Sequence, residues 1–326
     1  MRYLLRRIGF YLVALWAALS LNFLIPRLMP GDPVLLLVGR LQGQVDPRAI
    51  QALRLQFGLN NSSIGSQYVT YLGDLLHGNL GISITYFPTP VSQVIGLGLR
   101  WTLVLVGVSA ILSFFIGTLL GTMAAWKRGS WIDSTFSPLL TFLSAVPYFW
   151  LALIVLYLLG FVLKWFPLTG AYSLDVTPGL SGAFLASAVY HAILPAATIV
   201  ISSIAGWMLG MRNAMLTTLS EDYVLMAQAK GLTDRRVMLI YAARNAILPN
   251  ITGFALSLGF VIGGALLTEI VFSYPGLGYI LLQGVQSDDF PLMQGIFLLI
   301  AVAVLCANFL ADICYSVLDP RVRQER

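Results

Sequence analysis

Charge is scarce in this sequence. Acidic and basic side chains together make up 10% of it, against roughly 25% in a soluble domain, so most of its surface meets something other than water. Lysine is limited to Lys127, Lys164 and Lys230, and none closes a Gly-x-x-x-x-Gly-Lys-[Ser/Thr] phosphate loop. If ATP drives this protein, another chain must bind it. Histidine is limited to His77 and His191, and no His-Glu-x-x-His, Cys-x-x-Cys or Gly-x-Ser-x-Gly pattern occurs. A zinc enzyme would want three or four clustered ligands, and a serine hydrolase of that type its nucleophile elbow. Neither chemistry is expected, and His191, before Ile193-Leu194-Pro195, reads as a helix-end residue. Cys306 and Cys314 fall in or just beyond one apolar run. A helix rises about 1.5 Å per residue, so they stand too far apart to bridge within it and read as small apolar residues.

What the sequence has is apolar length. Hydrophobic residues are 58% of the chain and the mean hydropathy is +0.84. Charge-free runs extend over 8–26, 101–126, 134–163, 176–211, 245–268 and 290–311. About 20 apolar residues span a bilayer as helix, and lipid leaves backbone groups no water to bond. Barrel strands would alternate apolar and polar residues; these runs do not. The expected fold is an all-α membrane protein with six transmembrane helices. Arg2, Arg6 and Arg7 before the first run resemble a signal peptide, but the run exceeds the usual 7–15 apolar residues and lacks a good cleavage site, so a retained anchor is expected.

Lys and Arg set the orientation. With the N-terminus inside, Lys127, Arg128, Arg212, Lys230, Arg235, Arg236, Arg244, Arg321, Arg323 and Arg326 fall on the cytoplasmic side. Arg27, Arg40, Arg48, Arg54, Arg100 and Lys164 then fall outside, with Arg40, Arg48 and Arg54 in one long outer loop, about 30–99, and Arg27 and Arg100 flanking it. Both termini are expected in the cytosol. The net charge of +5 is then a topology signal, and no nucleic-acid partner is expected. The long outer loop holds turn signals such as Pro30-Gly31-Asp32-Pro33 beside apolar stretches, which predicts a small folded element of short helices.

Within the runs, Gly117 and Gly121, Gly206 and Gly210, and Gly259 and Gly263 recur at four-residue spacing, which lets helix backbones approach closely in lipid. Pro138, Pro147, Pro195 and Pro249 sit in or beside spans as potential kinks. Acids are few there: Glu269, Asp312 and Asp133. Intramembrane charges are functional suspects, but a proton relay would need several aligned acids. Local hydrogen bonding or capping is the expected role of Glu269 and Asp312.

The segment 217–249 has its own pattern. Thr218-x-x-Glu221 fits a capping box, Tyr223, Met226, Ala227 and Lys230 follow at helical spacing, and Gly231 supplies a stop. Thr233 or Asp234 can cap a second helix, with Val237, Ile240 and Tyr241 on one face. The pattern predicts two short helices joined at a glycine. It fits an amphipathic element lying on lipid headgroups as well as a docking knob for a soluble partner.

Ala227-Gln228-Ala229-Lys230-Gly231-Leu232, with Arg244-Asn245-Ala246-Ile247-Leu248-Pro249 downstream, resembles the coupling loop of binding-protein-dependent ABC permeases. The likeness is nearest to the B-type subunit of the dipeptide, oligopeptide and nickel branch. It extends to Pro30-Gly31-Asp32-Pro33, Leu76-His77-Gly78-Asn79-Leu80-Gly81, Val146-Pro147-Tyr148-Phe149-Trp150, the segment Thr268 to Gly278, and Asp319-Pro320-Arg321. One departure is Leu225, where the wider superfamily often has Glu six residues before the loop glycine.

The resemblance implies a type I ABC importer permease fold, with a first helix and outer element over 1–96, a permease core over 97–312 and a cytoplasmic tail over 313–326. It implies a second homologous permease, two ATPase subunits that hold ATP and Mg, and an extracytoplasmic binding protein, in the cell membrane, with no cofactor in this chain and no catalysis by it. Tyr223, Ala227, Ala229, Gly231 and Leu232 are the expected ATPase contact. Trp207, Glu269, Asn308 and Asp312 are candidates for the pathway or a gate. The family implies peptides as solute, with an oligosaccharide or a nickel complex as alternatives. An ion-coupled secondary transporter is the rival class.

Overall fold

The computed structural model describes residues 2–28, 63–261 and 265–318. Among the described residues the chain is helical, and its β pairing is one antiparallel bridge, Ile82 to Pro90. In chain order we label α1 Arg2–Leu28, α2 Ile64–Leu76 and α3 Val91–Trp126. Then come α4 Ile132–Ala145, α5 Tyr148–Val162, α6 Gly182–Thr218 and α7 Asp222–Ala229. Residues 234–246 form α8, whose middle, Val237–Ala243, is a π-helical turn. Last are α9 Leu248–Phe260, α10 Leu266–Val271, α11 Leu277–Gln286 and α12 Phe290–Leu318.

Six spans were expected. By length and composition four helices can cross a bilayer: α1 over Arg7–Ile25, α3, α6, and α12 over Phe290–Phe309. The bent pair α4–α5 makes a fifth if it is one span. The run over 134–163 is not straight; it turns by 100° between α4 and α5. Pro147 is the cause. It offers no N–H, and it drives the residue before it out of the helical region; Val146 is extended at φ −74, ψ 128. The run over 245–268 is not one helix either. At 13 residues, α9 rises about 20 Å, short of the ~30 Å hydrocarbon core. Gly259 lies at its end, and glycine is a poor helix former.

The chain forms two compact units, which divide within α3 between Thr102 and Leu103. One holds α1, α2, the start of α3, α11 and α12; the other holds the rest of α3, α4 to α9 and most of α10.

In the first unit α1 and α12 run antiparallel. Asn22 Nδ2 donates to the Gln294 carbonyl (2.8 Å), Gln294 Nε2 returns a bond to the Asn22 carbonyl (3.2 Å), and Tyr11 meets Phe309 edge to face. On α2, Tyr68 and Tyr71 enclose the buried Phe23 of α1, and the Arg27 guanidinium lies 3.7 Å from that ring. So 64–76 is a short helix folded onto α1; Pro30-Gly31-Asp32-Pro33 lies outside the described residues. Val91, Val94 and Ile95 of α3 form a core with Leu277, Ile280 and Leu281 of α11 and Leu292, Met293 and Ile296 of α12. Asp289 fastens its edge, accepting from Ser83 Oγ (2.5 Å), Thr85 N (2.8 Å) and Leu292 N (3.1 Å).

In the second unit α3 and α6 touch backbone to backbone. A Cβ on Gly117 would lie 2.7 Å from the Ile204 carbonyl oxygen, and one on Gly121 2.3 Å from that of Met208. This is the close approach the glycine spacing predicts. Gly206 does not share it, since a Cβ there meets nothing within 4 Å. Gly263 lies outside the described residues, so the Gly259–Gly263 pair is not placed.

Candidate functional site

The segment 217–249 folds as two short helices joined at Gly231, whose φ of +71 is the left-handed conformation that glycine adopts without strain. The expected capping box does not form. α6 continues through Thr218, whose hydroxyl donates back to the Ala214 carbonyl (2.9 Å), and Glu221 takes the cap position of α7 without a side-chain bond. Thr233 occupies the cap position of α8, also without one.

What seats these helices is apolar burial. Val224 and Ala227 of α7 and Val237, Ala242 and Ala246 of α8 close over Met211 and Met215 of α6 and Ala125 of α3. The Asn245 amide spans the pair, donating to Tyr223 Oη (3.0 Å) and to the Tyr241 carbonyl (3.1 Å). A two-helix element bound on its inner face and bare on its outer one can pass a push to the C-terminal ends of α3 and α6.

The expected contact residues divide between those faces. Tyr223, Ala229 and Gly231 are exposed, and Leu232 is half-buried against the apolar cluster. Ala227, at 3% exposure, faces inward; its small size serves the packing against α6, not an outer surface. Met226 and Leu225, by contrast, are large, apolar and exposed.

A charged tie lies beside this element. Arg212 of α6 binds Asp133 of α4 through two bonds, Nε to Oδ1 at 2.6 Å and Nη2 to Oδ2 at 3.2 Å. The Gly129 N–H donates to the same carboxylate at 3.0 Å. The Lys127–Asp133 turn is thereby fixed to the base of α6. Sequence reasoning picked out Asp133 and Arg212 separately; with 78 residues between them, nothing in their local patterns pairs them.

Of the pathway candidates, Trp207 is half-buried in an aromatic cluster, 5.4 Å from Phe114 and 6.1 Å from Phe254 between ring centres. Glu269 is fully buried in α10 near Tyr274. Both belong to the second compact unit, whereas Asn308 lies half-buried on α12 in the first. The side chain of Asp312 lies outside the described residues. Among the described residues no group of His, Cys, Asp and Glu is placed to hold a metal ion.

The chain is 35% identical to the di/tripeptide transport system permease protein DppB of Pseudomonas aeruginosa (strain UCBPP-PA14) over 99% of both chains. It is 35% identical to the oligopeptide transport system permease protein AppB of Bacillus subtilis (strain 168) over 98% of both. It is 33% identical to the dipeptide transport system permease protein DppB of Escherichia coli (strain K12) over 100% of both. Residues 117–324, which include the whole two-helix element and the Arg212 tie, match the family described as binding-protein-dependent transport system inner membrane component. With that match and full-length relatives of this identity, the chain belongs to the binding-protein-dependent transport permeases.

Proposed function

We propose that this chain forms half of the translocation pathway of an ATP-driven importer of di- and oligopeptides. It crosses the cell membrane several times with both termini in the cytosol. A second homologous permease completes the pathway. Two ATPase subunits, which hold ATP and Mg, dock on the 217–249 element through Tyr223, Ala229, Gly231 and Leu232. An extracytoplasmic binding protein delivers the solute. The chain carries no catalytic group; its part is mechanical. ATP shifts the complex only if it binds one arrangement better than the other, and that difference reaches the spans through the docked element.

One observation carries the reading. The bare Gly231 turn rides on two helices whose inner faces are seated on α3 and α6. The names of the relatives support peptides as the solute, and the absence of a phosphate-binding loop in the sequence supports a motor in another chain.

The test is the complex reconstituted in proteoliposomes, assayed for peptide uptake per ATP hydrolysed. Gly231→Glu puts bulk and charge on the turn and is expected to lower that ratio at least tenfold in a complex that still assembles. Gly231→Asn, which tolerates positive φ, is expected to retain most of it. Normal coupling by Gly231→Glu, or uptake or nucleotide hydrolysis by the isolated chain, overturns the reading.

A further inference from the structure

Asn250 is a polar side chain in the apolar part of the second unit, 7% exposed, and neither the docking element nor the pathway candidates account for it. It stands one position after Pro249 in the first turn of α9. Its Nδ2 donates to the main-chain carbonyl of Trp207 on α6 (3.0 Å) and to Thr118 Oγ1 on α3 (3.4 Å). The site is shaped for it: a Cβ on Gly210 would come within 2.7 Å of Asn250 Oδ1. Where water is absent, an amide has few other partners to turn to.

The surroundings give this bond a mechanical meaning. α3 and α6 are locked together by their contact at Gly117 and Gly121. α9 lies on that pair through one helical face, Asn250, Gly253 and Phe254. The Trp207 ring would be 3.5 Å from a Cβ on Gly253, and Phe254 stacks on Phe114 at 4.4 Å and 25°. On its other side α9 is continuous with the docking element. Ile247 N bonds the Ala243 carbonyl and Ile251 N bonds the Ile247 carbonyl, each at 2.9 Å. The helical hydrogen-bond ladder therefore passes from α8 into α9 across Pro249.

We propose that Asn250 is the fulcrum of this continuous rod: its amide pins the α8–α9 joint to the locked α3–α6 pair, so that displacement of α8 becomes rotation of α9 against the aromatic cluster of Phe114, Trp207 and Phe254. A single amide bonded to a main-chain carbonyl can hold a position while allowing rotation about the bond; a packed apolar contact at the same place would either slide or jam. Asn250 is thus a positioning residue. It acts through Trp207 and α9, and the proposal rests on the docking role of the 217–249 element.

The experiment measures peptide uptake per ATP hydrolysed, with a tritiated di- and tripeptide pool, in proteoliposomes of the complete complex. The variants are Asn250→Ala, Gly210→Ala and the double substitution. Asn250→Ala removes the amide. Gly210→Ala keeps it but displaces it through the added Cβ. Each is expected to lower the ratio at least fivefold, and the double variant is expected to match Asn250→Ala alone, because Gly210 matters only through the amide. Thr118→Val, which removes the longer bond, is expected to change the ratio less than twofold.

Several outcomes overturn the proposal. They are a ratio within twofold of wild type for Asn250→Ala or Gly210→Ala, additive losses in the double variant, and failure of both single variants to assemble, which would make Asn250 purely structural. Normal coupling by Gly231→Glu overturns the docking reading itself and this inference with it. Normal Asn250 variants beside a defective Gly231→Glu overturn the fulcrum alone.

Discussion

Arg212 and Asp133 form a two-point ion pair in which the Arg212 Nε lies 2.6 Å from Asp133 Oδ1, and it joins the C-terminal part of α6 to the first turn of α4. The carboxylate side chain is 9% exposed and the guanidinium side chain 22%. Neither charge is therefore easily rehydrated if its partner is lost. Removing one member of such a pair costs more than the net worth of the bond, because the other charge stays behind. We expect Asp133→Asn or Arg212→Met to destabilise the purified protein by about 1–3 kcal/mol, read as a lowered Tm in detergent. Exchanging the two, Asp133→Arg with Arg212→Asp, should recover part of the loss. Equal Tm values for the single variants and wild type would show that the pair is incidental.

Asp289 poses a similar question on the other compact unit. Its carboxylate is fully buried and accepts three bonds, from one hydroxyl and two main-chain N–H groups. Asn is nearly the same shape, but one of its two terminal atoms is itself a donor. It must then face an N–H or the Ser83 hydroxyl. We expect Asp289→Asn to be nearly as harmful as Asp289→Ala, each about 2–4 kcal/mol, while Ser83→Ala costs about 1 kcal/mol. Limited proteolysis over 78–90, together with thermal unfolding, checks the order. A harmless Asp289→Asn would mean that the bonds do not hold that edge.

The glycines of the second unit look alike in sequence and differ in what surrounds them. Gly121 would place a Cβ 2.3 Å from the Met208 carbonyl oxygen, an immovable main-chain atom, whereas Gly206 would meet nothing within 4 Å. Gly121→Ala should force α3 and α6 apart and lower the yield of folded protein several-fold. Gly206→Ala should be neutral or raise stability by up to about 1 kcal/mol, since alanine favours helix over glycine. Size-exclusion profiles of the two variants, expressed side by side, decide it.

That contrast shows where the sequence was informative and where it was not. Apolar length identifies α1, α3, α6 and α12, because a bilayer demands it of any helix that crosses. The two-helix element around Gly231 is visible because a helix stop and two amphipathic stretches are local properties. The 100° turn at Pro147 is only half legible: proline marks the place, but the angle depends on what α4 and α5 pack against on α6. The pairs Asp133–Arg212 and Asn250–Trp207 are long-range, so local patterns carry no trace of them. The capping box at Thr218 fails for a related reason. α6 gains more from continuing its ladder over buried Met215 than from stopping for a side-chain cap.

Within the 217–249 element, Ala227 and Ala229 are two residues apart and so point to different sides of α7. Ala227 is buried against Val224 and Met215, while Ala229 is exposed beside the Gly231 turn. A charge at the first position would sit unpaired among apolar side chains; at the second it would stand in solvent or at the proposed ATPase surface. We expect Ala227→Glu to unseat α7, seen as faster proteolysis between 219 and 233, and to impair assembly and uptake together. Ala229→Glu should leave proteolysis and Tm unchanged while lowering the affinity of the ATPase subunits at least tenfold in a pull-down titration. If both variants behave alike, the element is not two-sided in solution. If Ala229→Glu binds the ATPases normally, the exposed side of α7 is not where they dock, and the second reading of this segment, an amphipathic element on lipid headgroups, becomes the one to pursue.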